Sequence, residues 1–104
     1  MTREKLLNDI KARLMQAHGE RLQGVILYGS EARGEAEPDS DIDLLVLLRG
    51  PIELGRDIRT NVHALYDMEI QDYRPIHAMP VDVEDYQAGE YPLYRNAKKE
   101  GIFL

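Results

Sequence analysis

Cysteine is absent from the 104 residues, which excludes disulfides, thiolate zinc sites and cysteine nucleophiles. No apolar run approaches the roughly 18 residues of a membrane-crossing helix. Basic charge is scarce: 13 Lys and Arg stand against 19 Asp and Glu, a formal net charge of −6. That argues against an extended nucleic-acid surface, which needs a basic footprint. It leaves nucleotide binding open, because a divalent cation can offset carboxylates and phosphates together, and it suits docking to a basic protein partner. Neither an internal repeat nor a low-complexity stretch is present. The charged start, MTREKLLND, reads as helix and not as a signal peptide. These absences lead to the expectation of one soluble, cytoplasmic domain, with enough apolar residues, 43%, for a modest core.

Hydrophobic spacing supplies the elements. Leu6, Leu7, Ile10 and Leu14 recur at helical intervals within Thr2 to His18, with Thr2 as N-cap and Gly19 as the stop. Gln23 to Tyr28 reads as a short strand. Residues 29 to 40 read as a polar loop, and Ile42 to Leu48 as a strand buried on both faces, hence central. Glu53 to Met68 is expected to be a helix with Leu54, Ile58, Val62 and Leu65 on its buried face. Tyr73 to Val81 is a third strand, placed at an edge by Pro75 and Pro80. A polar connection spans Asp82 to Gly89. Pro92 then opens a short helix that Gly101 ends, and Ile102 to Leu104 adds a last extended segment. The order α-β-β-α-β-α predicts an α+β fold, a mixed sheet with helices packed on it.

The informative stretch runs from Gly29 to Asp43, GSEARGEAEPDSDID. A Gly-Ser turn closes one strand, and glycine there lets backbone and phosphate approach closely. Asp41 and Asp43 stand at the mouth of the next strand. Residues i and i+2 of a strand share a face, so their Cα atoms lie roughly 6.5 to 7 Å apart with both carboxylates pointing one way. Aspartate is depleted in strands, so the pair calls for a reason, and paired oxygen ligands beside a phosphate-binding turn suit Mg²⁺ and phosphoryl or nucleotidyl transfer. Arg33 either contacts phosphate or ties the loop down. Ser40 bonds backbone or orients Asp41. Glu31, Glu35 and Glu37 read as solvated surface. His18 suits its helix dipole, and His63 reads as half-exposed. Tyr66, Tyr73, Tyr86, Tyr91 and Tyr94 read as core and contact residues.

The runs Gly29-Ser30-Glu31-Ala32-Arg33-Gly34 and Ser40-Asp41-Ile42-Asp43-Leu44 resemble the signature of the nucleotidyltransferase superfamily, the DNA polymerase β-like fold. At this length the chain resembles the minimal nucleotidyltransferases, which are encoded beside HEPN-domain partners in toxin–antitoxin modules. The tail Pro92 to Gly101 also resembles endings of that group. The resemblance implies that Gly29 and Ser30, with Arg33 and Ser40, hold a nucleoside triphosphate, ATP. Asp41 and Asp43 bind Mg²⁺. An acceptor hydroxyl, a tyrosine of the HEPN toxin, takes AMP, and the antitoxin role follows from this AMPylation.

One departure from the pattern stands out. The superfamily places a third carboxylate on a neighbouring strand, and Tyr73 to Val81 contains no acid. His77 sits where the aspartate is expected. Three readings stay open: Asp82 or Asp72 completes the metal site, His77 takes over proton transfer as a neutral imidazole, or catalysis is lost. Two other functions follow from the same residues. One is an antitoxin that neutralises its partner by binding alone. The other is a nucleotidyltransferase for a small molecule, with a dimer supplying the missing wall of the acceptor pocket; for the chain in general, a homo- or hetero-oligomer stays open.

Overall fold

A computed structural model describes residues 2–72 and 74–104. Helix α1 (Arg3–His18) begins at Thr2, whose side chain accepts the Lys5 N–H, and ends at Gly19. Strand β1 (Leu22–Tyr28) leads into a short helix, α2 (Gly29–Arg33). Then come β2 (Ile42–Leu48), α3 (Leu54–Asp72), β3 (Ile76–Asp82), α4 (Val83–Ala88), α5 (Pro92–Glu100) and β4 (Ile102–Phe103). The sheet order is β3-β2-β1-β4. β1 runs antiparallel to β2 and to β4, while β2 and β3 are parallel. The parallel pair needs a crossover, and α3 provides it. The mixed α+β sheet with packed helices is therefore the fold that the sequence suggests.

β2 is internal and nearly every residue of it is buried, as its unbroken apolar run requires. Leu44, Val46 and Leu48 face one way with Val25 and Leu27, and pack under Leu6, Ile10 and Leu14 of α1 and Leu65 and Met68 of α3. Leu45 and Leu47 face the other way with Ile26 and Val81, under Tyr86 of α4 and Ala97 of α5. Each fully buried Leu or Ile contributes about 1.5–3 kcal/mol. The second face is covered by the two short helices, and Tyr28, Asp43 and His77 lie on that same face at the far end of their strands by alternation from Ile26, Leu45 and Val81. There the sheet stays accessible.

Four expectations need correction. Residues 29 to 40 are not all loop, because the Gly29–Arg33 stretch forms a helical turn. The segment after β3 is not a plain connection, since Asp82 caps α4 through Glu84 N–H. The third strand spans Ile76–Asp82, and Tyr73, its expected start, lies outside the described residues. The buried face of α3 consists of Asp57, Asn61, Leu65 and Met68, whereas Leu54, Ile58 and Val62 are exposed. The reason is that Asp57 and Asn61 find partners inside. Arg21 Nη1 donates to Asp57 Oδ1 at 2.9 Å, and Asn61 Nδ2 donates to Ala78 O at 2.9 Å. A satisfied polar side chain can be buried cheaply.

Candidate nucleotidyl-transfer site

The turn after β1 begins at Gly29, whose φ of +72° lies in the left-handed region. A Cβ built there would stand 2.6 Å from Asp43 Oδ2, so glycine is what allows the β1 end and the Asp43 carboxylate to come together. Tyr28 is the register partner of Asp43 across the antiparallel pair. Gly29 and Ser30 form the first turn of α2, where backbone N–H groups lack intrahelical acceptors. Both residues are half-buried at the end of β1.

Asp41 precedes β2 and Asp43 is its second residue. His77 of β3 is the register partner of Asp43, and its Nε2 lies 2.9 Å from Asp41 Oδ2. Burial pushes the Asp43 carboxyl above the usual range, the imidazole of His77 opposes this, and the like charge of Asp41 adds to it. Among the described residues Asp43 has neither a hydrogen-bond partner nor an ion-pair partner. A half-buried carboxylate beside a second one, unpaired, is a site that gains from a cation. Among the described residues no three His, Asp or Glu side chains converge on a metal position. The donor set is thus two carboxylates, which fits Mg²⁺, an ion that takes one or two carboxylates plus phosphate and water oxygens.

A second set of residues braces the loop. Glu31 of α2 is buried, against the expectation of a solvated surface acid, and it is held by Arg3 Nε at 2.9 Å and Arg74 Nη2 at 2.8 Å. Burial pushes its carboxyl up, but the hydrogen bonds from Arg74 and Arg3 outweigh this and hold it below the usual range. Arg74 Nε also donates to Ser40 O at 2.9 Å. One guanidinium therefore joins the turn after β1 to the segment that carries Asp41. Ser40 Oγ accepts the Glu37 N–H at 2.8 Å, so its hydroxyl shapes the loop. Arg33 pairs with Glu35 at 3.4 Å and Glu100 at 3.8 Å, an arrangement that ties α2 to α5.

The remaining candidates separate. Gly29, Ser30, Asp41, Asp43 and His77 come together. Asp82 does not join them: it pairs in register with Leu48, at the opposite end of β2 from Asp43, and its carboxylate is spent on the α4 cap. Asp72 closes α3, with Oδ2 enclosed and without a hydrogen-bond partner among the described residues. Sequence reasoning missed Arg74, Arg3 and the burial of Glu31. The available signal was Arg74 itself, a charged residue directly before Pro75 and an apolar strand.

A sequence profile described as "Nucleotidyltransferase domain" matches residues 5–104. Among curated proteins none matches the chain by sequence. Among solved structures, a chain in a crystal structure of a toxin–antitoxin with AMP-PNP superposes with a TM-score of 0.65 at 16% identity, over 98% of this chain and 72% of that one. A mutant form of the toxin–antitoxin MntA-HpeT gives 0.61 at 13% identity, over 99% and 71%. A Sulfolobus solfataricus protein regarded as a nucleotidyltransferase gives 0.57 at 24% identity, over 95% and 76%.

Proposed function

Because the chain belongs to the nucleotidyltransferase-domain family over residues 5–104, we propose that its site moves a nucleoside monophosphate, AMP from ATP, onto a hydroxyl of a protein partner. The partner is a HEPN-type toxin and the acceptor a tyrosine, which gives this protein an antitoxin role. The observation that carries the chemistry is the close approach of Gly29 to Asp43, which sets the Gly-Ser turn beside the aspartate pair. Likeness of fold to chains from toxin–antitoxin structures supports the biological setting.

The residues divide the work. Gly29 and Ser30 offer N–H groups and a hydroxyl to the phosphates. Asp41 and Asp43 hold Mg²⁺. When bound, that ion neutralises phosphate charge and stabilises the attacking and leaving oxygens of an in-line displacement. The acceptor oxygen forms a bond to the α-phosphorus, the α–β bridging P–O bond breaks, and pyrophosphate leaves. If His77 Nε2 carries its proton toward Asp41, its other ring nitrogen is an acceptor for the hydroxyl proton. Arg74 and Glu31 keep the two walls in register.

The test is transfer from α-labelled ATP with Mg²⁺ to a co-purified partner, with γ-labelled ATP as a kinase control. Label from the α position alone, lost in Asp41→Asn/Asp43→Asn while circular dichroism is unchanged, is the expected result. Label retained in that double variant would falsify the mechanism. A second reading, neutralisation by binding alone, draws on the placement of Asp82 away from the aspartate pair. It predicts that the same variant still silences the partner.

A further inference from the structure

An open cleft of about 770 Å³ lies between α1 and α3, within the roughly 300–1,000 Å³ typical of small-molecule sites. Arg13 and Gln16 of α1 and Arg56, Arg59 and His63 of α3 line it. On each helix these positions are three or four apart, so they share one face. No Asp, Glu, Phe, Tyr or Trp belongs to the lining. In a chain of net charge −6, that is a local excess of positive charge. The two helices cover the sheet face of Leu44, Val46 and Leu48, whereas Asp43 and His77 belong to the opposite face. Nucleotidyl chemistry at the aspartate pair therefore does not explain the cleft.

The arginines of the cleft differ from the rest in what holds them. Elsewhere Arg3, Arg21, Arg33 and Arg74 pair with carboxylates, and Arg49 and Arg95 donate to backbone carbonyls. Arg56 shares Asp57 with Arg21. Arg13 and Arg59 have no carboxylate partner among the described residues. Arg13 makes one long contact, Nη1 to Ala64 O at 3.5 Å, and Arg59 has no hydrogen-bond acceptor among the described residues. The side chains of Gln16 and His63 likewise lack partners there. Two guanidinium forks, one from each helix, thus line one cleft with their donors unspent, beside the neutral donors of Gln16 and His63.

From this arrangement we infer that the cleft between α1 and α3 binds a diphosphate group, free or carried on a nucleoside. A guanidinium takes a phosphate through two parallel hydrogen bonds. Two unspent forks provide for two phosphate groups, where one fork would serve a single group. Arg56 adds positive potential, offset in part by Asp57. An acidic peptide would need apolar contacts as well, and Ala17 and Ala64 are the only apolar side chains of the lining. A base finds no Phe, Tyr or Trp to stack on, so the phosphates carry the recognition.

The test is calorimetric titration of the full chain at low salt in EDTA, which removes the divalent cation that the aspartate pair would use to hold phosphate. Inorganic pyrophosphate is the probe, with inorganic phosphate and ADP beside it. Pyrophosphate is expected to bind, ADP about as tightly, and inorganic phosphate about tenfold more weakly or worse. Arg13→Ala and Arg59→Ala are each expected to weaken pyrophosphate about tenfold or more, with circular dichroism unchanged because neither side chain holds a carboxylate in the fold. Arg59→Lys keeps the charge, loses the fork and is expected to weaken binding too. Lys99→Ala removes the same charge outside the cleft and is expected to leave binding as it is. A wild type that binds no pyrophosphate overturns the inference. So does an equal loss in Lys99→Ala, which marks a diffuse effect of charge. Inorganic phosphate as tight as pyrophosphate overturns the two-fork arrangement, and binding of ADP alone overturns recognition through the phosphates. If binding is lost in Asp41→Asn/Asp43→Asn, the ligand sits at the aspartate pair and the inference fails. None of these titrations reads nucleotidyl transfer, so they stand or fall apart from it.

Discussion

Gly29 and Asp43 illustrate how much can rest on a missing side chain. With φ at +72° and Asp43 Oδ2 within 2.6 Å of any Cβ, Gly29→Ala must strain the backbone by about 1–2 kcal/mol and push the carboxylate aside. A displacement near 1 Å in a reacting site costs on the order of a hundredfold in rate. Transfer by Gly29→Ala is therefore expected to fall by about that factor with helix content intact. Full activity would show that the contact has no part in catalysis. Asp43 itself carries a stability cost, since burial raises its folded-state pKa against the opposing His77, and the like charge of Asp41 adds to the rise. A raised carboxyl contributes stability at low pH that is lost as pH rises, so Asp43→Asn should raise the Tm of the metal-free protein at pH 7. The gain should shrink toward pH 4, and a lower Tm at pH 7 would refute it. Gly29, Ser30, Asp41 and Asp43 were legible because turn chemistry and strand alternation are local. Glu31 was not, since its partners Arg3 and Arg74 lie 28 and 43 residues away.

At the scale of elements, α2 and the start of β2 are separated by a loop, and Arg74 is what joins them. Its two bonds, to Glu31 Oε2 and Ser40 O, reach both walls of the site from the segment before β3. Arg74→Ala leaves Glu31 buried with Arg3 alone, and removing one partner of a buried charged pair costs more than the pair itself is worth. A loss of about 1–3 kcal/mol in urea unfolding is expected. On the proposed function, the looser walls should raise KM for the nucleotide several-fold while kcat changes less, and an unchanged KM would assign Arg74 to stability alone. The same scale shows why α3 was recognised but turned the wrong way. Its periodicity is written in Leu54, Ile58, Val62 and Leu65, but it runs on to Asp72, past the expected end at Met68. The face it buries is decided by Asp57 and Asn61, whose partners, Arg21 in the turn before β1 and Ala78 on β3, periodicity cannot see. α2 and α4 were missed because a helix of one or two turns has too few residues to establish a period.

Over the whole molecule, Asp57 ties the start of α3 to the turn before β1. Arg21 bonds it from the turn before β1 and also donates to Arg49 O and Pro51 O after β2. Arg56 and the Glu53 N–H complete its shell at the start of α3. The hydrogen bond from Arg21 is the main cause that holds the Asp57 carboxyl far below the usual carboxylate range, against burial, and Arg56 and Glu53 add to it. The sign is that of a depressed acid: the stabilisation is complete above the unfolded pKa near 4 and is lost as pH falls toward the folded value. Glu31 acts in the same direction, while Asp43 acts in the opposite one. The sum predicts a protein whose Tm is flat at neutral pH and drops steeply below pH 4. Asp57→Asn leaves Arg21 partly unpaired beside a 1% exposed position. Breaking such a pair costs about 3 kcal/mol at pH 7, or roughly 10–20 °C in Tm. The discriminating feature is the shape of the acid limb. In Asp57→Asn the limb should be shallower, and the two curves should approach each other as pH falls below about 4. Parallel curves would mean that Asp57 stabilises by packing and not by charge, and that the acid sensitivity arises elsewhere in the molecule.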